Sequence, residues 1–313
     1  MGDLAIGIDV GGTKVAALRV GADGAVEARE VAPTPADDTE ATLDTMVRLA
    51  EAVRTPAVRA VGVGAAGLVA WPSGVIRFAP NNAWREFPVR DRLARALGLP
   101  CVVDNDAAAA AWAEHRFGAG RGATGLLAVT VGTGIGGGII AGGRLFRGAH
   151  GFAAEIGHVI VEPGGPPCGC GNLGCFEQVA SGSAIERAGR RAVRDHPGSR
   201  LAELSGGDPG RVDGPAVTAA AREGDEVAVA ILAEVGRRLG EGIAGLVNVL
   251  DPELVVVGGG VVEAGDLVLE PARRAFRDAV EAAAHRPDVP LVPAALGPDA
   301  GAIGAAALAL EEA

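Results

Sequence analysis

The sequence has no excess of basic residues, since 28 lysines and arginines stand against 39 aspartates and glutamates and leave a net charge of −11. A surface of that sign is a poor match for a polyanionic backbone, so we expect no nucleic acid among the partners. The sequence also lacks a basic segment followed by an apolar core near its start, which is the pattern of an export signal. We therefore expect a cytoplasmic protein.

Long apolar runs without glycine are missing as well. The longest uncharged stretch, Gly122–Gly143, could span a bilayer by its length, but its many glycines make a membrane helix a poor interpretation. The pattern predicts a turn-rich pair of strands instead, and no membrane partner.

Cysteine is scarce, with four residues, yet Cys168, Cys170 and Cys175 stand close together and His158 precedes them by ten positions. Three thiolates and one imidazole suit tetrahedral Zn²⁺, and four protein ligands close its coordination shell, which predicts a structural ion. A disulfide is the alternative, but a cytosolic chain keeps its thiols reduced. Cys101, in an apolar run, is expected to be a buried packing residue.

Glycine, in contrast, is abundant, with 49 residues gathered in clusters. The segments Leu4–Ala17 and Leu127–Ile140 repeat one order of strand, glycine turn and strand. Glycine lets backbone N–H groups approach a bound anion, so the turns Gly11-Gly12-Thr13-Lys14 and Gly132-Thr133-Gly134 predict phosphate binding. Neither has the Walker A pattern, and ordinary hairpins without a ligand are the alternative.

Strands alternate with helices along the chain, which predicts an α/β architecture. The hydrophobic periodicity predicts helices and strands in this order: Thr39–Val53, strand Val58–Val63, Val89–Leu97, strand Cys101–Val103, Asp106–Phe117, strands Leu126–Val131, Gly137–Ala141 and Gly157–Val161, helices Ala184–Asp195, Pro215–Arg222 and Glu226–Leu250, strand Leu254–Val257, helix Leu267–Ala284, strand Pro290–Pro293, and a final helix from near Asp299. The stretch Pro197–Pro215 predicts a surface excursion.

Polar residues collect where one of these strands gives way to a helix, at Asp104, Asn105 and Asp106. They could simply cap the helix, but ligands of α/β folds gather at the carboxyl ends of strands, where a carboxylate can accept a proton from a hydroxyl. Glu155 and Glu177 flank the predicted zinc ligands and predict hydroxyl recognition. Asn81 offers an amide there, or serves as turn chemistry.

Together these motifs resemble the ROK family of sugar kinases and sugar-responsive repressors over essentially the full chain. The resemblance is carried by Asp9–Lys14, Asp104–Ala107, Gly132–Gly138, Glu155–His158 and Cys168–Glu177. It implies an actin-like, hexokinase-type (ribonuclease H-like) α/β fold with a cleft between two domains. The implied domains are residues 1–117 with a returning helix at 298–313, and residues 118–297 with the zinc loop.

The resemblance also implies a reaction, in which ATP with Mg²⁺ phosphorylates the 6-hydroxyl of glucose. Matched residue by residue, Asp106 is implied as the base and Asp9 as a neighbour of Mg²⁺, while Asp104 stands where similar kinases often carry Glu. The remaining implied roles are sugar binding by Asn81, Asn105, Asp106, Glu155, His158, Glu177 and Gly67, phosphate binding by Gly11, Gly12, Thr13, Lys14, Gly132, Thr133 and Gly134, contact with the nucleoside by Gly258, Gly259 and Gly260, and zinc ligation by His158, Cys168, Cys170 and Cys175.

Other functions within that family stay open at this point. The same motifs serve kinases of mannose, fructose, N-acetylglucosamine or N-acetylmannosamine, and polyphosphate could replace ATP as the donor. A repressor would carry a helix-turn-helix before its sugar domain, and we expect none because Asp9 follows the start so closely. The resemblance suggests a homodimer or homotetramer.

Overall fold

Residues 3–79 and 82–313 are described by a computed structural model. The predicted Asn81 lies outside the described residues. The strands are β1 (Leu4–Val10), β2 (Lys14–Gly21), β3 (Val26–Pro33), β4 (Val58–Ala65), β5 (Leu68–Ala70), β6 (Val75–Phe78), β7 (Arg85–Phe87), β8 (Cys101–Asn105), β9 (Leu126–Val131), β10 (Ile135–Ala141), β11 (Arg144–Leu145), β12 (Leu254–Gly258) and β13 (Leu291–Pro293). The helices are α1 (Thr39–Val53), α2 (Val89–Leu97), α3 (Asp106–Phe117), α4 (Phe176–Ala180), α5 (Gly182–Asp195), α6 (Arg200–Leu204), α7 (Gly214–Arg222), α8 (Glu226–Leu250), α9 (Asp266–Ala279) and α10 (Ala300–Glu312). This mixture confirms the predicted α/β class.

The first sheet has the strand order β3-β2-β1-β4-β8. Strand β1 runs parallel to β4, with Asp9 beside Gly64, and β4 runs parallel to β8, with Gly64 beside Asp104. Since the carboxyl ends of parallel strands meet at one edge, this register brings the end of β1 and the start of α3 together. The sheet therefore assembles the acidic residues that stand far apart in sequence.

Helix α10 packs directly on this sheet because the strands have glycines, which carry no side chain, at the points of contact. A Cβ on Gly7 would lie 1.8 Å from the carbonyl oxygen of Ala302, and a Cβ on Gly62 would lie 1.8 Å from that of Ala305. Gly304 of α10 approaches the backbone of α3 in the same manner, 1.8 Å from the oxygen of Ala109. These three glycines thus serve backbone-to-backbone packing.

The opposite face of the sheet is covered by α1 and α2, whose apolar faces are buried. Helix α1 begins after Asp38, whose carboxylate accepts hydrogen bonds from the N–H groups of Glu40 and Ala41 and so caps the helix. The core on this side is formed chiefly by Ile6, Ile8, Met46, Leu49, Val63, Trp84 and Leu93. Burial of these side chains fixes the sheet register from both faces.

The second sheet has the order β11-β10-β9-β12-β13, and β5, β6 and β7 form a small third sheet that was not predicted. The uncharged Gly122–Gly143 stretch forms β9, β10 and their glycine turn, which confirms the predicted strand pair. Helix α8 packs closely on α9, because a Cβ on Gly240 would lie 2.1 Å from the oxygen of Ala272. Within the described residues, no helix has both the length and the apolar character needed to cross a membrane.

The chain divides into two compact units. The first unit contains residues 1–128, 137–154 and 294–313, and the second contains residues 129–136 and 155–293. In this division the stretches 118–128, 137–154 and 294–297 group with the first unit, and the domains implied by the resemblance, 1–117 with 298–313 and 118–297, stay a prediction. Helix α10 groups with the first unit.

Three predictions were wrong. The stretch Pro197–Pro215 is not a surface excursion, because it contains α6 and buries Leu201 and Val212. The segment Gly157–Val161 is not a strand, because Ile156–His158 forms a single 3-10 turn and Val159–Val161 are exposed. Gly157, within this turn, lies against β10, where a Cβ would be 2.1 Å from the oxygen of Ile135. Helix α9 ends at Ala279 rather than at Ala284, because Val280 adopts an extended conformation.

Candidate active site and metal centre

The first glycine turn, Gly11–Lys14, joins β1 to β2. The N–H of Gly11 donates to the carbonyl of Lys14 (3.0 Å), and the Thr34 hydroxyl donates to the carbonyl of Gly11 (2.8 Å). The side chains of Thr13 and Lys14 are exposed at the tip. The turn is thus closed by its own backbone and presents a donor hydroxyl and an ammonium to solvent.

The second glycine turn, Gly132–Gly134, joins β9 to β10 and is held by the first residues of α5. The N–H groups of Gly182 and Ser183 donate to the carbonyls of Gly132 (2.8 Å) and Thr133 (3.2 Å), and the Ser183 hydroxyl also donates to Thr133 (2.8 Å). Sequence reasoning missed Ser183, because nothing in the spacing connects it to a turn fifty residues earlier.

The third glycine segment, Gly258–Gly260, follows β12. Gly259 has φ +89°, and a Cβ there would lie 2.4 Å from the oxygen of Val131 at the end of β9. Only glycine fits both the dihedral angle and the space. Gly259 and Gly260 are exposed and leave an open backbone surface beside the strand end.

Asp106 is the first residue of α3, and Asn105 caps that helix. The Asn105 Oδ1 accepts from the N–H groups of Ala107 (2.9 Å) and Ala108 (3.0 Å), while its Nδ2 donates to the carbonyl of Gly67 (3.2 Å). The capping interpretation of Asn105 is therefore confirmed, and Gly67 belongs to the same small assembly. In the described part of the chain no Lys or Arg side chain forms an ion pair with Asp106.

Burial raises the pKa of the Asp106 carboxyl, although the N–H of Ala107, 2.9 Å from Oδ1, lowers it. The pKa of Asp9 is raised as well, to about 7. Burial and the nearby Asp106 raise it, and the charge of Lys14 opposes them. The two carboxylates therefore share one electrostatic environment at the carboxyl edge of the first sheet.

Asp104 occupies a different environment, although it is only two residues from Asp106. Its side chain is buried, and its Oδ2 accepts a hydrogen bond from the Nε of Arg147 at 2.6 Å. Burial raises the pKa of Asp104 while Arg147 lowers it. Because Asp104 is tied into an ion pair, it is not a free proton acceptor, which separates its role from that of Asp106.

The predicted metal ligands do come together. One ligand atom from each of His158, Cys168, Cys170 and Cys175 lies within 4.8 Å of all the others. The Cys168 Sγ is 3.7 Å from the His158 Nδ1, and the Cys170 Sγ is 3.6 Å from the Cys175 Sγ. A zinc tetrahedron with ordinary Zn–S and Zn–N bonds has edges of about 3.5–3.8 Å, so the donor set fits this ion.

Cys101 lies on β8, outside that cluster, and is buried as expected. Burial raises the pKa of its thiol to about 12, which keeps it protonated and unreactive at neutral pH.

Two glutamates flank the metal cluster. The Nε2 of His158 faces the Glu155 Oε2 at 3.9 Å, and its Nδ1 faces the Glu177 Oε1 at 3.8 Å. The Glu177 Oε1 is also 3.0 Å from the Cys168 Sγ. His158 thus directs Nδ1 toward the thiols and Nε2 toward Glu155, and all three side chains keep solvent contact through which a polar ligand can reach them.

Glu177 also contacts the second glycine turn. A Cβ on Gly134 would lie 2.4 Å from the Glu177 Oε2, so the missing side chain leaves room for this carboxylate. Helix α4 begins directly after Cys175, and Glu177 is its second residue. The cysteine loop, Glu177 and the second glycine turn are consequently one connected structure in the second unit.

The described site residues thus form two groups. Asp9, the first glycine turn, Gly67, Asn105 and Asp106 lie in the first unit. The second unit contains the other two glycine segments, Glu155, Glu177 and the four predicted metal ligands. Arg147, in the first unit, was not predicted, because an isolated arginine has no sequence signal.

Comparison with known proteins places these observations in context. The model of the ROK family matches residues 5–312. A glucokinase of Streptomyces coelicolor is 42% identical over 98% of both chains, and an N-acetylmannosamine kinase of Escherichia coli is 37% identical over 93% of this chain and 97% of its own. The crystal structure of a ROK family glucokinase from Streptomyces griseus in complex with glucose and AMPPNP has a TM-score of 0.91 and 43% identity, and covers 98% of this chain and 99% of that one.

Proposed function

The chain belongs to the ROK family, and we propose that it is an ATP-dependent glucokinase. It transfers the γ-phosphate of ATP to the 6-hydroxyl of glucose and yields glucose 6-phosphate and ADP. The observation that carries this assignment is the full-length similarity to glucokinases, at 42% identity in sequence and a TM-score of 0.91 against a structure with glucose and AMPPNP. The fold is accordingly the actin-like fold of these kinases.

We propose Asp106 as the base that accepts the proton of the 6-hydroxyl. In phosphoryl transfer the protein mainly positions the reactants and stabilises charge, and a carboxylate beside the attacking hydroxyl takes its proton. Burial raises the pKa of Asp106, which increases the affinity of its carboxylate for a proton. The Asp104–Arg147 ion pair supports this choice, since it leaves Asp106 as the unpaired carboxylate of the two.

The nucleotide phosphates would be held by the two glycine turns, Gly11–Lys14 and Gly132–Gly134. Their backbone N–H groups, the Thr13 hydroxyl and the Lys14 ammonium are the donors that a polyphosphate requires. We place the nucleoside against the open backbone of Gly258–Gly260. Closure around the bound substrates would exclude water and so suppress ATP hydrolysis.

Magnesium would be bound near Asp9. Oxygen ligands suit Mg²⁺, and the Asp9 carboxyl, with its pKa raised to about 7 next to Asp106, is an anionic site that a divalent cation would stabilise. When bound with ATP, Mg²⁺ neutralises phosphate charge.

Zinc is the metal we propose for His158, Cys168, Cys170 and Cys175, on the fit of the donor distances to a tetrahedron. Four protein ligands leave no open position, so its contribution is structural. It would hold His158 and the loop that leads into α4, and thereby orient Glu177.

We propose that the sugar hydroxyls are bound by Asn81, Gly67, Asn105, Glu155, His158 and Glu177, in addition to Asp106. Carboxylates accept hydrogen bonds from hydroxyls, and the Nε2 of His158 faces Glu155 on the side away from the thiols. The Asn105 oxygen is already engaged in capping α3, so only the second hydrogen of its amide nitrogen is left for a sugar oxygen.

A second candidate substrate is N-acetylmannosamine, because a kinase of that sugar is 37% identical over 93% of this chain. The groups described above recognise hydroxyls common to both sugars, and the discrimination would arise at the edge of the pocket. By family resemblance, we further propose a homodimer or homotetramer in the cytoplasm.

The test is a coupled assay of ADP release with purified protein, Mg²⁺-ATP and glucose, mannose, fructose, N-acetylglucosamine or N-acetylmannosamine. We expect the highest kcat/KM with glucose. A preference for N-acetylmannosamine would change the assigned substrate, and the proposed phosphoryl transfer from ATP would stay the same. Release of no ADP with any of the five sugars, from folded protein containing its metal, would refute the kinase assignment.

A further inference from the structure

Arg147 is the centre of a side-chain network in the first unit. Its Nε donates to the Asp104 Oδ2 at 2.6 Å, and its Nη1 and Nη2 donate to the two oxygens of Glu312 at 3.1 and 2.9 Å. The guanidinium also stacks over the Trp71 ring, 3.7 Å from the ring centroid. With a side chain only 12% exposed, Arg147 uses its planar fork on two carboxylates and one aromatic face at once.

The segment that carries Arg147 is itself fixed. The N–H of Trp71 donates to the carbonyl of His150 at 3.0 Å, and a Cβ on Gly151 would lie 2.5 Å from the carbonyl oxygen of Val69. The chain after β11 is thus packed against the end of β5. Arg147 therefore contacts Asp104 from a rigid support.

Asp104 connects Arg147 to the start of α3 through hydrogen bonds. Its Oδ1 accepts from the N–H of Asn105 at 2.8 Å, and Asn105 in turn caps α3 through the N–H groups of Ala107 and Ala108. Asp106 stands between the cap and these two residues. Any rotation of the turn at Asp104 would displace the Asp106 carboxylate directly.

We propose that Arg147 is a positioning residue for phosphoryl transfer, which acts through Asp104 to hold the Asp106 carboxylate in line with the attacking hydroxyl. The inference rests on the proposed kinase function. Arg147 is a positioning residue rather than a catalytic one, since its guanidinium donates to Asp104 and Glu312 and stacks on Trp71. It supplies the buried cation that Asp104 needs, because a buried carboxylate without a partner is strongly disfavoured.

The test compares Arg147→Met with a matched control, Arg116→Met. Arg116 also pairs with a glutamate of α10, Glu311, and also lies over a tryptophan ring, at 5.6 Å from the Trp112 centroid. It has no contact with Asp104. A displacement of about 1 Å at a reacting group can cost about 10²-fold in rate. We expect kcat to fall by about that factor in Arg147→Met, with the KM for ATP little changed, and to stay near the wild-type value in Arg116→Met.

A double-substitution cycle distinguishes action through Asp104 from an independent effect. If Arg147 acts through Asp104, adding Asp104→Asn to Arg147→Met lowers kcat little further, although Asp104→Asn alone lowers it clearly. Arg147→Lys is expected to recover part of the activity, since an ammonium can still pair with Asp104 but cannot also form the bidentate contact with Glu312. Effects of the two single substitutions that multiply would overturn the proposal.

Hydrogen exchange provides a readout that needs no substrate. We expect the amides of Ala107 and Ala108 to exchange faster in Arg147→Met, and in Arg147→Lys to a smaller extent, than in the wild type and in Arg116→Met. Unchanged exchange would refute the positioning role, whatever the activity. If the wild type phosphorylates no sugar, the proposed function fails and the exchange measurement still decides whether Arg147 holds the α3 turn. If Arg147→Met does not fold, kcat and hydrogen exchange are both measured on Arg147→Lys instead.

Discussion

Asp9 should lower the free energy of unfolding as the pH rises, and the substitution Asp9→Asn should abolish this pH-dependent decrease. Its carboxyl is partly buried at the end of β1, with Asp106 nearby, and its pKa is raised from 3.8 to about 7, chiefly by burial. Asp9→Asn removes the titrating group while keeping its shape. The substitution therefore isolates the pH-dependent part of the stability that this carboxyl contributes.

The sign follows from the protons bound in each state. Between about pH 4 and pH 7 the folded chain keeps a proton on Asp9 that the unfolded chain has released, so the free energy of unfolding falls over this range and levels off above it. A rise from 3.8 to about 7 corresponds to about 4 kcal/mol at roughly 1.4 kcal/mol for each pKa unit. Because Asp9 keeps some solvent contact, we expect about half of this, or about 2 kcal/mol.

The assay is thermal unfolding of wild type and Asp9→Asn without Mg²⁺ or nucleotide, at several pH values between about 4.5 and 8. This range covers most of the predicted change in the free energy of unfolding. We expect the melting temperature of Asp9→Asn to rise relative to that of the wild type by about 3 °C across this range, because the unfolding entropy is about 2.1 cal/mol/K for each of the 313 residues. Asp266→Asn, at a mostly exposed carboxylate, controls for the loss of one negative charge. A gap between wild type and Asp9→Asn that stays constant, or that narrows as the pH rises, would refute the reasoning.

Three further predictions concern the reaction. Asp106→Asn should lower kcat by on the order of 10²-fold or more while calorimetry shows glucose binding largely intact. Cys170→Ser should lose zinc, measured by elemental analysis, and most of its glucose affinity, because the loop that orients Glu177 relaxes. Gly134→Ala should raise the KM for glucose in steady-state assays, because its Cβ would lie 2.4 Å from the Glu177 Oε2, whereas a Cβ on Gly132 has nothing within 4 Å.

Each of these has a contrary outcome. Near-normal turnover of Asp106→Asn would remove Asp106 from the role of base. A Cys170→Ser protein that is free of zinc and fully active would show that the metal loop does not support the sugar site. If Gly134→Ala and its control Gly132→Ala have the same KM for glucose, the contact between the second glycine turn and Glu177 has no effect on sugar binding.

Much of the fold could be predicted because its signals are local. Thr39–Val53, Val89–Leu97, Asp106–Phe117 and Glu226–Leu250 are helices with the predicted bounds, since each combines apolar periodicity with a clear start or end. The metal cluster was predictable for a similar reason. Short spacing between cysteines and a nearby histidine restricts the geometry before any tertiary contact is known.

The remainder depends on tertiary contacts that leave no local pattern. Gly157–Val161 has the composition of a strand, but it begins in a 3-10 turn in which Gly157 lies close to β10, and three apolar side chains stay exposed. The different roles of Asp104 and Asp106 could not be predicted either, because they depend on Arg147, which lies 43 residues after Asp104 in the sequence. Sequence alone shows two neighbouring carboxylates, and only the partner reveals which one is free.

The packing of α10 on Gly7 and Gly62 also bears on how a ribosome produces this protein. The strands of the first sheet precede the second unit along the chain, whereas the 13-residue helix that covers one face of that sheet follows it. During translation of the second unit that face has no covering helix. The first unit is therefore completed only after the second unit has been translated, and a stop codon shortly before residue 300 would release a chain with an uncovered sheet.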